Sequence, residues 1–218
     1  MRYLKGNNKL AVSVSLLALF LLLVFSLDRQ YVLWLREFKT FDSSLQALLD
    51  SVYPFINYVS NGVSLIALII VFFILAVFYN KRLYEKGTAL FIGFVATGLS
   101  VQILKHLIGR ARPKLTDSFI MIGPSWKSGY DSFPSGHTAE AFCFAYILSQ
   151  YYPKYRILFY LCALLVGAGR LKVPSHFLSD VFAGAVFGLF MGKLAFHYFT
   201  SFMARKKTVG AFHWKTLS

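Results

Sequence analysis

Between Thr88 and Leu104 the chain reads TALFIGFVATGLSVQIL, an uncharged run that stops at Lys105. A helix crossing a bilayer needs roughly 20 mostly apolar residues, and this run reads as one such span. Toward the N-terminus, Phe55 to Tyr79 is a second uncharged run, closed by Lys81, Arg82 and Lys86. Leu10 to Leu27 is a third, preceded by Arg2, Lys5 and Lys9. It is too long for a signal-peptide core and no A-x-A-like site follows it, so it reads as an uncleaved first span. Toward the C-terminus, spans are expected at about 135–152, 155–172 and 178–202, where Glu140, Arg170, Asp180 and Lys193 intrude. Charges inside a span are costly and mark functional candidates. The expectation is an all-α polytopic membrane protein of six transmembrane helices, with residues 1–218 forming a single domain.

Composition agrees. The 218 residues are 57% hydrophobic and only 15% charged, where a soluble domain carries about a quarter charged residues. Mean hydropathy is +0.58. Disorder and collagen-like chains are excluded. The net charge of +14 would suggest nucleic acid in a soluble protein. In so apolar a chain it is assigned instead to cytoplasmic loops and to an anionic substrate, with no nucleic-acid partner. Cys143 and Cys162 both fall in apolar stretches, without metal-ligand or disulfide spacing, and read as small core residues.

With the N-terminus inside, the inner segments hold twelve basic residues and the outer ones ten, of which seven cluster between Lys105 and Lys172. Outside that cluster the positive-inside bias is clear. Between spans one and two, from Arg29 to Asp50, the residues Trp34, Phe38, Phe41, Leu45 and Leu48 share one helical face opposite Glu37, Thr40 and Ser44. This predicts an amphipathic helix, either lying on the outer membrane surface or packed on the outer bundle ends.

Three polar stretches interrupt the apolar pattern: Lys105 to Lys114, Ser132 to His137, and Gly169 to Asp180. If spans three to six each cross once, all three meet at one membrane face. Lys105, Arg112 and Arg170 suit phosphate oxygens. Ser135 and Gly136 follow Pro134 at the expected start of a helix, where backbone N–H groups and the helix dipole favour an anion and glycine permits close approach. His176 and Asp180, at i and i+4, share a helical face, so the carboxylate can hold one ring nitrogen and free the other as a nucleophile. His137 can serve as acid to a leaving oxygen and then as base to water. No grouping suits Mg or Zn, and the cationic side chains stand where a metal would. No cofactor is expected.

At these residues the chain resembles the type 2 phosphatidic acid phosphatases, the membrane lipid phosphate phosphatases, whose pattern is K-x6-R-P, then P-S-G-H, then S-R-x5-H-x3-D. Lys105 to Arg112-Pro113 fits the first element, Pro134 to His137 the second, and Arg170, His176 and Asp180 the third. The match spans 105–180, about a third of the chain. The resemblance implies six membrane spans, metal-free chemistry, His176 as nucleophile, Asp180 as its orienting partner and His137 as acid/base. It also implies phosphate binding by Lys105, Arg112, Ser135, Gly136 and Arg170. Gly169 stands where the family has a serine. Vanadium haloperoxidases and soluble acid phosphatases share the pattern, but six spans favour the membrane branch.

The expected function is metal-independent hydrolysis of a lipid phosphate or lipid pyrophosphate at the outer face, through a phosphohistidine. A phosphotransferase to another lipid is the alternative. A transporter without turnover would place its ionisable residues near span midpoints, whereas most lie here at outer ends. Phosphatidate, phosphatidylglycerol phosphate, undecaprenyl pyrophosphate and lipid A phosphates all fit such a site. The compact chain looks bacterial, hence an inner-membrane enzyme with a periplasmic site. Arg110, Lys114 and Lys172 read as headgroup ligands or as a solvated rim, and Glu140 as a partner of His137 or an interhelical hydrogen bond. His106 reads as an interfacial polar residue, and Trp126, Tyr130 and Phe133 as a lip for lipid or an interfacial aromatic belt.

Overall fold

The computed structural model describes residues 24–37, 81–172 and 175–215, with isolated helical positions 15, 19, 22, 47, 51 and 54. In chain order these give helix α1 (24–37), α2 (Lys81–Ile108), α3 (Gly136–Tyr151), a 3-10 turn at Pro153–Tyr155, α4 (Arg156–Lys172) and α5 (Leu178–Lys215). Among the described residues there is no strand, only an isolated antiparallel bridge between Arg110 and Met121. The all-α expectation holds for these residues. The helices match the expected third to sixth spans, and their bounds follow local signals. Lys105 and His106 occupy the last turn of α2 and Asp180 the first turn of α5, each at the end its charge favours. Pro153 follows the end of α3, where a proline cannot continue the helix.

Two helical segments, Leu83–Ile108 and Leu178–Arg205, are long and apolar enough to cross a membrane. The expected spans at Leu10–Leu27 and Phe55–Tyr79, and residues 38–50 of the expected amphipathic helix, lie outside the described residues but for isolated positions. One boundary is corrected. The first span does not end at Leu27 with a new helix from Arg29: α1 runs unbroken through both, because no glycine or proline interrupts 24–37. Val24, Asp28 and Val32 are its buried face, at helical spacing, while Trp34 is exposed.

Helix α3 sits at the centre, packed on α5, α4 and α2. Small residues bring α3 and α5 together. An added Cβ at Gly188 would lie 2.1 Å from the Ala139 carbonyl oxygen, and one at Gly184 would lie 2.5 Å from that of Ser135. Backbones this close are the hallmark of small-residue helix contacts. Ala89, Cys143, Ile147, Ala195 and Phe199 form one core cluster, and Phe142, Ala145 and Ala163 another. Leu99, Ile103 and Leu107 of α2 and Phe190, Tyr198 and Phe202 of α5 point outward, as expected where the solvent is lipid. Cys143 is buried as expected, but Cys162 is exposed on α4, where outward apolar contact with lipid replaces core packing.

Candidate active site

The C-terminal ends of α2 and α4 and the N-terminal ends of α3 and α5 converge at one end of the bundle. Lys105 closes α2, Arg170 closes α4, His137 opens α3 and Asp180 opens α5, with His176 in the turn just before α5. His137 lies within electrostatic reach of Arg170, His176, Lys105 and Arg112. Lys105 likewise senses Arg112, Asp131, Asp180 and Glu140. The three separated polar stretches therefore form one site. Lys105, Arg170 and His176 are buried, and Asp180 and Ser135 are fully so.

The segment after α2 positions these groups by backbone bonding. Gly109 has φ +60°, and its N–H donates to the Lys105 carbonyl, turning the chain back at the helix end. An added Cβ there would lie 2.0 Å from the Gly123 carbonyl oxygen, so only glycine fits. The returning chain is tied by Ala111 N–H to Ile120 O (3.0 Å), Arg112 N–H to Gly129 O (2.9 Å) and Ser132 N–H to Arg110 O (3.0 Å). His106 Nδ1 donates to Ser125 O (3.0 Å), and its ring stacks on Trp126. That ties the helix end to the loop, in keeping with a polar interfacial role. Phe133 stacks on Phe25 of α1, whereas Trp126 is 86% exposed.

His176 is set by main chain rather than carboxylate. Its Nδ1 lies 2.8 Å from the Ser132 carbonyl oxygen and 3.6 Å from Asp180 Oδ2. A carbonyl only accepts, so Nδ1 carries the proton and Nε2 keeps its lone pair. The expected direct hydrogen bond from the ring N–H to Asp180 is therefore replaced by one to the Ser132 carbonyl. Asp180 Oδ2 instead accepts from Ser132 Oγ (2.5 Å) and from Phe177 N–H (2.8 Å), and Oδ1 accepts from Arg110 Nη1 (2.5 Å). Asp180 therefore stands beside the ring and is also bonded to Ser132, whose carbonyl holds Nδ1. Burial pushes the His176 ring below the ordinary histidine range, against the upward pull of Asp180.

Arg112 is held by Asp131, with Nε donating to Oδ1 (2.9 Å) and Nη2 to Oδ2 (2.6 Å), and the pair is partly open to solvent. Burial opposes ionisation of Asp131, but the Arg112 guanidinium outweighs it and holds the carboxyl below its usual range. Ser135 precedes α3 with extended backbone and donates its N–H to the Asp180 carbonyl (3.0 Å), while its hydroxyl pairs with Thr138 Oγ1 (2.9 Å). The first helical bond of α3 runs from Ala139 N–H to Ser135 O, so the amides of Gly136, His137 and Thr138 lie in the unsatisfied first turn. Gly136 packs beside Val101 and Lys105 at ordinary contact distance. Glu140 faces α2 near Gly98, within electrostatic reach of Lys105.

Three groups escaped sequence reasoning. Arg110, weighed as a headgroup ligand or a solvated rim residue, is fully buried and bonded to Asp28 (2.7 Å), Ser179 (2.6 Å) and Asp180. The one available signal was Asp28, an acid beside an apolar run that demanded a partner. Asp131 and Ser132 gave no signal, since each acts through a loop conformation or a backbone carbonyl.

A family model described as the PAP2 superfamily matches residues 86–204, and the chain belongs to that family. Lipid A 1-phosphatase of Rhizobium johnstonii is 39% identical over 111 residues, 50% of this chain and 46% of that protein. The chain spans about half the length of the curated relatives it matches first. The crystal structure of Aquifex aeolicus LpxE is similar with a TM-score of 0.58 and 29% identity, over 76% of this chain and 93% of that one. A transmembrane PAP2-type phosphatidylglycerolphosphate phosphatase from Bacillus subtilis gives a TM-score of 0.62 and 25% identity, over 88% and 96%. With its apolar helices, the chain is a membrane protein.

Proposed function

We propose that the protein is a metal-independent lipid phosphate phosphatase acting through a phosphohistidine. The observation that carries this reading is the His176 ring, protonated at Nδ1 by its bond to the Ser132 carbonyl, with Nε2 keeping its lone pair within electrostatic reach of Lys105 and Arg112. Nε2 attacks phosphorus in line, forming the N–P bond as the P–O bond to the lipid breaks. His137 protonates the departing oxygen, then takes a proton from the water that cleaves the N–P bond. Lys105, Arg112 and Arg170, with the first-turn amides after Ser135 at Gly136 and beyond, balance charge on the phosphoryl oxygens, the work a metal performs in many phosphoryl-transfer enzymes.

The relatives' names favour a phosphate on lipid A or on phosphatidylglycerol as the substrate. Six spans, an amphipathic outer helix and a periplasmic site in a bacterial inner membrane complete the reading. Supporting it are the alternating helix directions, which gather all motif residues at one end. The alternative acceptor, a second lipid, shares the first half-reaction.

The test is phosphate release by purified protein in detergent with excess EDTA, across lipid A 1-phosphate, phosphatidylglycerol phosphate, phosphatidate and undecaprenyl pyrophosphate. Release is expected for wild type and is lost in a folded His176→Ala protein. Wild-type turnover in that variant overturns the nucleophile, and activity abolished by EDTA overturns metal independence. Phosphorylated lipid product in place of free phosphate selects the phosphotransferase.

A further inference from the structure

The mechanism above leaves one large buried cation unused. Arg110 is fully inaccessible to solvent, so its guanidinium cannot touch substrate, yet it is bonded to the carboxylate that opens α5. We propose that Arg110 is a positioning residue for the reaction. Aimed by Asp28 and Ser179, it locks the Asp180 carboxylate so that Ser132, and through its carbonyl the His176 ring, is held for attack. Helix α1 is thereby part of the catalytic apparatus. This inference rests on the reading of His176 as nucleophile.

The geometry supports each link. Arg110 Nη1 donates to Asp180 Oδ1 (2.5 Å) and Ser179 Oγ (2.6 Å), and Nη2 donates to Asp28 Oδ2 (2.7 Å). Asp28 is fixed in turn by the Ser179 N–H (2.9 Å) and hydroxyl (2.5 Å). The rings of Phe177, Phe25 and Phe119 enclose the guanidinium, their centroids 4.3, 5.0 and 5.1 Å from Cζ. In so dry a cage the guanidinium has no solvated alternative, and its hydrogen bonds fix direction strongly. Arg110 holds Oδ1 of Asp180 while Ser132 and the Phe177 N–H hold Oδ2, so the carboxylate is fixed beside the His176 ring and bonded to the residue whose carbonyl orients it. The Ser132 N–H also bonds the Arg110 carbonyl, so side chain and main chain of Arg110 bear on the same peptide.

Charge gives the proposal a signature that loosened packing lacks. The groups facing His176 are Asp180 of α5, Lys105 of α2, Arg112 of the loop and His137 of α3, with Arg170 of α4 beyond His137. Arg110 and Asp28 stand behind Asp180. Removing the Arg110 cation leaves the Asp180 anion less neutralised and favours imidazolium, so the acid limb of kcat/KM moves to higher pH. Removing the Asp28 anion moves it to lower pH.

The experiment uses the full chain in detergent with the same panel of lipid A 1-phosphate, phosphatidylglycerol phosphate, phosphatidate and undecaprenyl pyrophosphate. The lipid that wild type turns over fastest serves for the variants, and folding is followed by gel-filtration elution. Wild type, His176→Ala, Arg110→Met, Arg110→Lys, Asp28→Asn and Ser179→Ala are compared for kcat, KM and pH profile. Arg110→Met is expected to lower kcat by about 10²-fold with KM unchanged, the scale of a displaced reacting group. Arg110→Lys recovers part of this, since an ammonium keeps the charge but not the fork. Asp28→Asn lowers kcat on the order of 10-fold, and the acid limbs of Arg110→Met and Asp28→Asn shift in opposite directions. Should Arg110→Met fail to fold, Asp28→Asn and Ser179→Ala, which keep the guanidinium, carry the kcat test and Asp28→Asn the pH test. Wild-type kcat in folded Asp28→Asn, Ser179→Ala and Arg110→Lys overturns the proposal while leaving the phosphatase reading intact, and so do limbs that move together. Wild type without turnover, or His176→Ala with it, overturns both.

Discussion

Replacing Gly188 by alanine puts the contact between α3 and α5 to a direct test. A Cβ there would sit 2.1 Å from the Ala139 carbonyl oxygen and 2.8 Å from its carbonyl carbon. A carbon and a carbonyl oxygen rest comfortably at about 3.3 Å. The two helices must therefore part by roughly 1.2 Å, because the obstacle is backbone and cannot rotate away. Overpacking of this kind costs about 1–3 kcal/mol. The same displacement falls on the site, because α3 carries His137 and α5 follows His176, and the two are joined by the Ser135 N–H to Asp180 O bond. A shift of about 1 Å between reacting groups is worth on the order of 10²-fold in rate. Phosphate release and thermal unfolding in detergent measure both effects. Gly98→Ala is the control: its Cβ meets only the Glu140 carboxylate tip at 3.3 Å, a flexible neighbour, and near-wild-type behaviour is expected. A Gly188→Ala protein with wild-type melting temperature and kcat would refute the close-packing argument.

Gly109→Ala should lower thermal stability, since the αL conformation alone costs a side chain about 1–2 kcal/mol and the Gly123 carbonyl blocks the new Cβ. An unchanged melting curve would show that the loop yields freely. Asp131→Asn should raise KM on the order of 5-fold with kcat little changed, about 1 kcal/mol for a lost orienting hydrogen bond to Arg112; unchanged KM would remove Asp131 from substrate binding. Activity should persist below the usual histidine range, because neutral His176 is the nucleophile and burial delays its protonation. A kcat/KM acid limb above about pH 6.5 would contradict this. Unfolded chain takes up protons before folded chain at both His176 and Asp131. Stability should therefore fall as pH drops, first below about 6.5 and again below about 3.9.

The helices from α2 onward were legible because long apolar runs end at Lys105, Pro153 and Arg170, so charge and proline punctuate the chain. The gathering of Lys105, His137, Arg170 and His176 was legible too, since alternate helix directions require it. What bonds to what was not. Arg110 finds Asp28 and Asp180 at separations of 82 and 70 residues, and no local pattern announces partners so distant. The hold on His176 is a main-chain carbonyl, which every residue possesses and no side-chain motif reveals. Asp131 lies near Arg112 in sequence, but their pairing depends on how the intervening loop folds back through Gly123 and Gly129, both at positive φ.

The bond between Asp28 and Ser179 joins segments 151 residues apart, and that distance bears on how the protein is made. Until α1 meets α5, the Asp28 carboxylate lacks the guanidinium and serine that compensate it, at the edge of an apolar phase where charge is expensive. A chain lacking α1 would keep every motif residue from 105 to 180 and still leave Arg110 short of one anion. Completion of the bundle is thus coupled to completion of the network. Half-inserted chains are penalised by exposed charge, and the native arrangement is reached only when α1 and α5 have docked.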